Sequence, residues 1–306
     1  MMKMIRYRIM GMILILLLLM FSTETASALD GEPPAPHDLW NTWNWDPILL
    51  LSLAVSAWIY VRGSREWKQR AGFRHSRAIS FIMGLLTLFL ALISPLDALS
   101  AALFSAHMLQ HILLMVVAPP LLVLGVSPAP FLLAFDPPVQ RKLSQSWRRI
   151  RWLKPAWHAL AQLPVAWGLS TLMLWAWHVP SLYQAALQSE ALHSLEHLGF
   201  MIPSLLFWWA IIHLHRSHGD LGILALFTMA FQGGLLGALL IFSPTPWYTV
   251  YAKTTQPWGL SPLEDQQLAG SIMWIPVGMI YTVAALILFV NRLTWIERTA
   301  SQRERH

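Results

Sequence analysis

Cysteine is absent from this 306-residue chain, and charge is scarce. Without cysteine there is no disulfide framework, no thiolate metal shuttle, no CxxC redox chemistry and no cysteine nucleophile, so any bound metal must be held by His, Met or carboxylate. Charged residues make up 12% against 56% hydrophobic ones, and the mean hydropathy is +0.51. A soluble domain carries about 25% charged residues to stay hydrated. Half that figure, gathered between long uncharged runs, excludes a water-exposed globule and specifies a polytopic membrane protein.

What is present is a series of apolar runs. Lys3, Arg6 and Arg8 precede a short apolar core from Ile9 to Phe21, and Ala26-Ser27-Ala28 follows it. This pattern predicts a secretory signal over residues 1–28, cleaved or kept as a signal anchor, with residues 29–46 as an outer segment. Seven stretches of spanning length come next: Pro47 to Val61, Ala78 to Ser94, Leu99 to Leu124, Ala161 to Trp177, His193 to Ile212, Leu221 to Phe242 and Leu268 to Val290. They predict an all-α transmembrane helix bundle over residues 47–290, followed by a basic cytoplasmic tail over 291–306.

The charges fix the orientation. Seventeen Lys and Arg lie in the Arg62–Arg77 and Arg141–Lys154 loops, at Arg216 and in the tail, whereas the opposite side of the mature chain holds only Lys253. The outer face sums to −8 and the inner to +12. This is a positive-inside pattern with N-terminus out and C-terminus in. The net charge of +6 therefore reports lipid topology, and no nucleic-acid partner is implied. Trp40, Trp43 and Trp45 before the first span, and Trp147, Trp152 and Trp157 in the second cytoplasmic loop, are expected to anchor helices at the headgroup level.

Topology sorts the polar residues by depth. His107 and His111 fall in the outer half of the third span, His178 ends the fourth, His193 and His197 begin the fifth, and Asp265 begins the seventh. Residues four apart on a helix are offset by about 40°, so His107/His111 and His193/His197 each present two imidazoles on one face. Glu190 and Glu196 lie near the second pair and could accept from a ligand histidine as outer-shell partners. A single histidine here would read as interhelical glue. Five at one depth, two pairs in chelating register and an Asp at the same level point to a metal or cofactor site, since ionisable groups are costly in a bilayer. Asp265 could equally cap its own span.

Met108, Met115, Met173, Met201 and Met273 also lie in spans, where thioethers suit Cu(I) but mostly serve packing. His213, His215 and His218 cluster in a cytoplasmic loop and read as a solvated face. Gly233, Gly234 and Gly237 contain a small-xxx-small motif for close helix approach, and Gln232 is expected to bond across that contact.

Four stretches carry a family resemblance: HMLQHILLMVVAPPLLVLG (His107 to Gly125), WHVPSLYQAAL (Trp177 to Leu187), LHSLEHLGF with a following FWW (Leu192 to Trp209), and DQQLAGSIMWIPVGMIY (Asp265 to Tyr281). Together they resemble the CtaG family of caa3-type cytochrome c oxidase assembly proteins, over about residues 45 to 290. The unrelated copper-inserting factors that share the name are single-span proteins with cysteine ligands, and the lack of cysteine excludes them. The resemblance implies a multi-pass protein of the bacterial inner (plasma) membrane, partnered by oxidase subunits and needed for an active haem-copper oxidase, through copper delivery. The family's motif positions fall on His107, His111, His178, His193, His197 and Asp265. Copper held by these residues for transfer, without catalysis, is the expectation. Two rivals fit the same residues: a zinc-dependent, ceramidase-like membrane hydrolase, and a bis-histidine haem protein.

Overall fold

The computed structural model describes residues 33–68, 74–126, 131, 133–149 and 153–303. The expected signal segment 1–28 and Trp152 lie outside the described residues. Among those described there are helices and no strands. The helices are α1 (Pro47–Lys68), α2 (His75–Leu92), α3 (Pro95–Ala102), α4 (Phe104–Ile112), α5 (Ala118–Gly125), α6 (Pro137–Arg149), α7 (Leu153–Leu160), α8 (Leu163–Trp177), α9 (Pro180–Leu187), α10 (Glu190–Ile212), α11 (Gly219–Phe242) and α12 (Pro262–Arg303).

Among the described residues six helical stretches are long and apolar enough to cross a membrane: α1, α2, the run from Phe104 to Gly125, α10, α11 and α12. The fourth expected span is realised as the 15-residue α8, shorter than the others. The third expected span starts later than Leu99 because the chain breaks at Leu103, which is extended (φ −129°, ψ 129°). At the other end α12 runs unbroken from Pro262 into the basic tail as far as Arg303.

Between α4 and α5 the helix widens into a π-helical segment, Leu113–Val117. The cause is local. Pro119 has no N–H for the carbonyl four residues back, that of Met115, and the Trp208 indole of α10 donates to that carbonyl instead, at 3.3 Å. Widened turns of this kind appear inside helices mostly as single bulges, often at functional sites.

Two kinds of contact hold the bundle together. Close backbone approach joins α11 to α12, where a Cβ on Gly237 would lie 2.6 Å from the Gly270 carbonyl oxygen. It also joins α2 to α5, where a Cβ on Gly125 would lie 2.4 Å from the Phe81 nitrogen. A ladder of side-chain hydrogen bonds joins α8 to α11: the Trp167 indole to Thr228 Oγ1 (3.0 Å), the Trp175 indole to Gln232 Oε1 (3.1 Å), and Gln232 Nε2 to Thr171 Oγ1 (3.3 Å). Gln232 thus does not bond across the glycine contact. One residue before Gly233, it is rotated by about 100° from the glycine face and meets α8. Trp157 also departs from the anchoring expectation, being buried with its ring 5.5 Å from that of Trp209, whereas Trp40 and Trp45 are exposed. His213, His215 and His218 are all exposed in the loop after α10.

Candidate metal centre

The site is built on the first turns of α4 and α10. Leu103 supplies no side-chain cap for α4. Asp265 of α12 does so from a distance of 161 positions in sequence: one carboxylate oxygen accepts from the Phe104 N–H (2.6 Å), the other from the Ser105 N–H (3.2 Å) and the Ser105 hydroxyl. The orphan donors of a helix start are thereby satisfied by another span. Gln110, on a different face from His107 and His111, donates from Nε2 to the Ala91 carbonyl and to Asp97 Oδ1, both at 2.8 Å. Asn44 donates to the other Asp97 oxygen at 3.2 Å. The start of α4 and its rotation about its axis are both fixed, and with them the aim of its two histidines.

That aim is toward α10. The rings of His107 and His111 lie 4.2 Å apart, those of His193 and His197 also 4.2 Å. Across the helices, His107 is 5.6 Å from His193 and His111 is 5.8 Å from His197. Glu196 of α10 reaches the first pair, its Oε2 3.6 Å from His107 Nε2 and its Oε1 3.8 Å from His111 Nε2. One ligand atom from each of His107, His111 and Glu196 lies within 4.8 Å of the other two. Ligands at about 2.1 Å in a tetrahedral shell sit about 3.4 Å from one another, so the trio needs only a small contraction to close on an ion. All three side chains are buried, and neither ring nitrogen of His111 makes a hydrogen bond among the described residues.

His178 borders the cluster, its ring 6.5 Å from that of His111. Its Nδ1 donates to the Leu174 carbonyl at 2.6 Å, which leaves Nε2 facing Met108 Sδ at 3.3 Å. Asp265 is not brought into the histidine trio, since its carboxylate is engaged at the start of α4. Below the histidine layer is a cavity of about 30 Å³, lined by His111, His178, Met108, Met115, Met229 and Met273 among others.

Above the layer, on the outer side, lies a cover of aromatic residues. Tyr183 of α9 packs its ring 5.1 Å from His107 and donates to the Tyr251 hydroxyl (2.7 Å), which donates in turn to the Ser100 carbonyl (3.0 Å). Tyr248 donates to the His178 carbonyl at 2.9 Å. Burial pushes all three phenols above their ordinary range, so they remain neutral.

The profile of the cytochrome c oxidase caa3 assembly factor family (Caa3_CtaG) matches residues 58–295. The chain belongs to this family. Uncharacterized proteins of Mycobacterium bovis and Mycobacterium tuberculosis are each 26% identical to it over 291 residues, covering 90% of this chain and 43% of the relative. An uncharacterized protein of Mycobacterium leprae is 23% identical over 287 residues with the same coverage. The chain thus spans less than half the length of the curated relatives it matches. No solved structure matches it.

Within this caa3 assembly-factor chain, the residue that sequence reasoning undervalued is Glu196. Helical spacing put both Glu190 and Glu196 near the His193 pair, as outer-shell acceptors. Glu196 is wholly buried and close enough to His107 and His111 to share an ion with them, while Glu190 is half-buried. Its place three residues after His193 was the available signal. The tyrosine cover left no signal, because Tyr248 and Tyr251 come from a segment without helical periodicity and Tyr183 from the short helix α9, and only the fold brings them together.

Proposed function

We propose that this chain serves maturation of a haem-copper cytochrome c oxidase in the bacterial plasma membrane by holding copper and releasing it to an oxidase subunit on the outer face. The observation that carries this reading is the buried trio of His107, His111 and Glu196, with His193 and His197 alongside. A carboxylate in so dry a place stays ionised only with a cation beside it, and a set of imidazoles with one carboxylate favours copper above the other divalent first-row metals. A donor of this kind carries out no reaction. It needs an affinity high enough to load and a route by which to unload.

Metal analysis of the purified protein, with an absorption spectrum to reveal haem, is the first test. In cells, Glu196→Gln keeps the volume while removing the charge, and His111→Leu keeps bulk while removing the nitrogens. Each is expected to lower oxidase activity sharply at limiting copper, with partial recovery at excess copper and normal abundance of the variant itself. Normal oxidase levels at limiting copper in a correctly inserted variant would refute the copper reading. Two imidazoles and a glutamate are also the donor set of some catalytic zinc sites, so zinc in the purified protein with oxidase assembly unaffected would bring the hydrolase reading forward.

A further inference from the structure

We propose that the methionine-lined cavity beneath the histidine layer is a second, separate metal site, selective for Cu(I). This deepens the copper reading above and rests on it. Four thioether residues, Met108, Met115, Met229 and Met273, converge on one space from three different spans, and His111 and His178 form its outer wall. At about 30 Å³ it accommodates a single water-sized occupant.

The chemistry of the wall selects the ion. His178 Nδ1 donates its N–H to the Leu174 carbonyl, so in the neutral ring Nε2 carries a lone pair. That lone pair faces Met108 Sδ at 3.3 Å, and sulfur is itself an electron donor. Two donors aimed at one another across such a gap gain from a shared cation. No Asp or Glu lines the cavity, so nothing there offsets a double charge. Because the cost of desolvating an ion grows with the square of its charge, a monovalent ion is favoured, and thioether with imidazole is a soft donor set that suits Cu(I). Met229 Sδ has a weak contact already, accepting from Thr171 Oγ1 at 3.8 Å, and would have to exchange it. Met115 and Met273 have no such contact among the described residues, and with Met108 and His178 they supply four donors without it.

His111 lies on the boundary of both sites, one ring serving the Glu196 trio and the cavity wall.

The test uses the full-length protein, purified in detergent under anaerobic conditions and titrated with Cu(I) against a cuprous chelator, then separately with Cu(II) and with Ag(I) as a redox-inert analogue. The expectation is one Cu(I) or Ag(I) equivalent with sulfur in its coordination shell by X-ray absorption. Replacing Met115 and Met273 together with Leu, a volume-conserving change, should weaken Cu(I) binding at least tenfold and remove the sulfur signal while leaving Cu(II) uptake unchanged. Glu196→Gln should do the reverse. To guard against misfolding of the double variant, the unmutated protein labelled with selenomethionine is read at the selenium edge, where Ag(I) beside a thioether gives a direct signal. Cu(II) bound with no sulfur or selenium contact for Cu(I) or Ag(I) would overturn the cavity site alone. Failure to bind copper in either state would overturn both proposals.

Discussion

Asp265→Ala is expected to loosen the first turn of α4 and to be among the most destabilising single changes in the outer half of the bundle. The substitution strands three donors, the Phe104 N–H, the Ser105 N–H and the Ser105 hydroxyl, in a place where the carboxylate is wholly shielded from solvent. Each buried donor left without a partner costs about 1–3 kcal/mol. With the hydroxyl free to turn elsewhere, the two N–H groups sum to about 2–6 kcal/mol, above the ~1 kcal/mol typical of an exposed helix cap. Asp265→Asn keeps one acceptor for Ser105 but turns an amide donor toward the Phe104 N–H, for about 2 kcal/mol. Ser105→Ala removes one bond, for about 1 kcal/mol. Denaturant titration of the detergent-solubilised protein should rank the variants in that order, and the cycle of Asp265→Ala with Ser105→Ala should show clear coupling. If Asp265 acts instead as a metal ligand, Asp265→Ala should cost bound metal without costing stability. A midpoint for Asp265→Ala equal to that of the parent would refute the capping account.

Gly237→Ala should destabilise by about 1–3 kcal/mol, because its Cβ would lie 2.6 Å from the Gly270 carbonyl oxygen and force α11 from α12. Gly168→Ala, with no atom within 4 Å of the new Cβ, should be neutral or stabilise by up to about 1 kcal/mol in the same assay. Trp208→Phe should cost about 1–3 kcal/mol by orphaning the Met115 carbonyl, and adding Pro119→Ala, which restores a backbone N–H, should recover part of it. Arg292→Ala breaks the 2.9 Å pair with Asp220, but that carboxylate is 71% exposed, so the loss should stay below about 1 kcal/mol. A reporter fused after Arg303 should be active in the cytoplasm and silent in the periplasm, and the opposite result would overturn the orientation read from the charges.

How far the sequence carried this reading depended on the range of the interactions. The spans and the common depth of the histidines follow from hydropathy and from where Lys and Arg fall, and the facing pairs follow from spacing within one helix. These are local signals, and α10, α11 and the His107/His111 face show them directly. The break at Leu103 was hidden, because it depends on a carboxylate 161 positions away. The burial of Trp157 and the engagement of Gln232 with α8 were hidden for the same reason: each depends on which helix is the neighbour, and periodicity gives a face but not its partner. Glu196 was visible as a residue type on the right helix, and only the approach of α4 singles it out from Glu190.

If the site holds an ion as proposed, the aromatic cover would separate how tightly that ion is held from how quickly it leaves. A solvent-open cluster of the same ligands would exchange its ion with every chelator outside the membrane, at a rate set by affinity alone. Here the neutral Tyr183 is bonded to Tyr251, which is tied to the backbone at Ser100, and Tyr248 is tied to the backbone at His178. Exit of a bound ion on that side would require those bonds to be broken first. A partner able to displace the loop from Ser243 to Ser261 would lower that barrier for itself only, so the identity of the recipient would be encoded in the loop and not in the ligands.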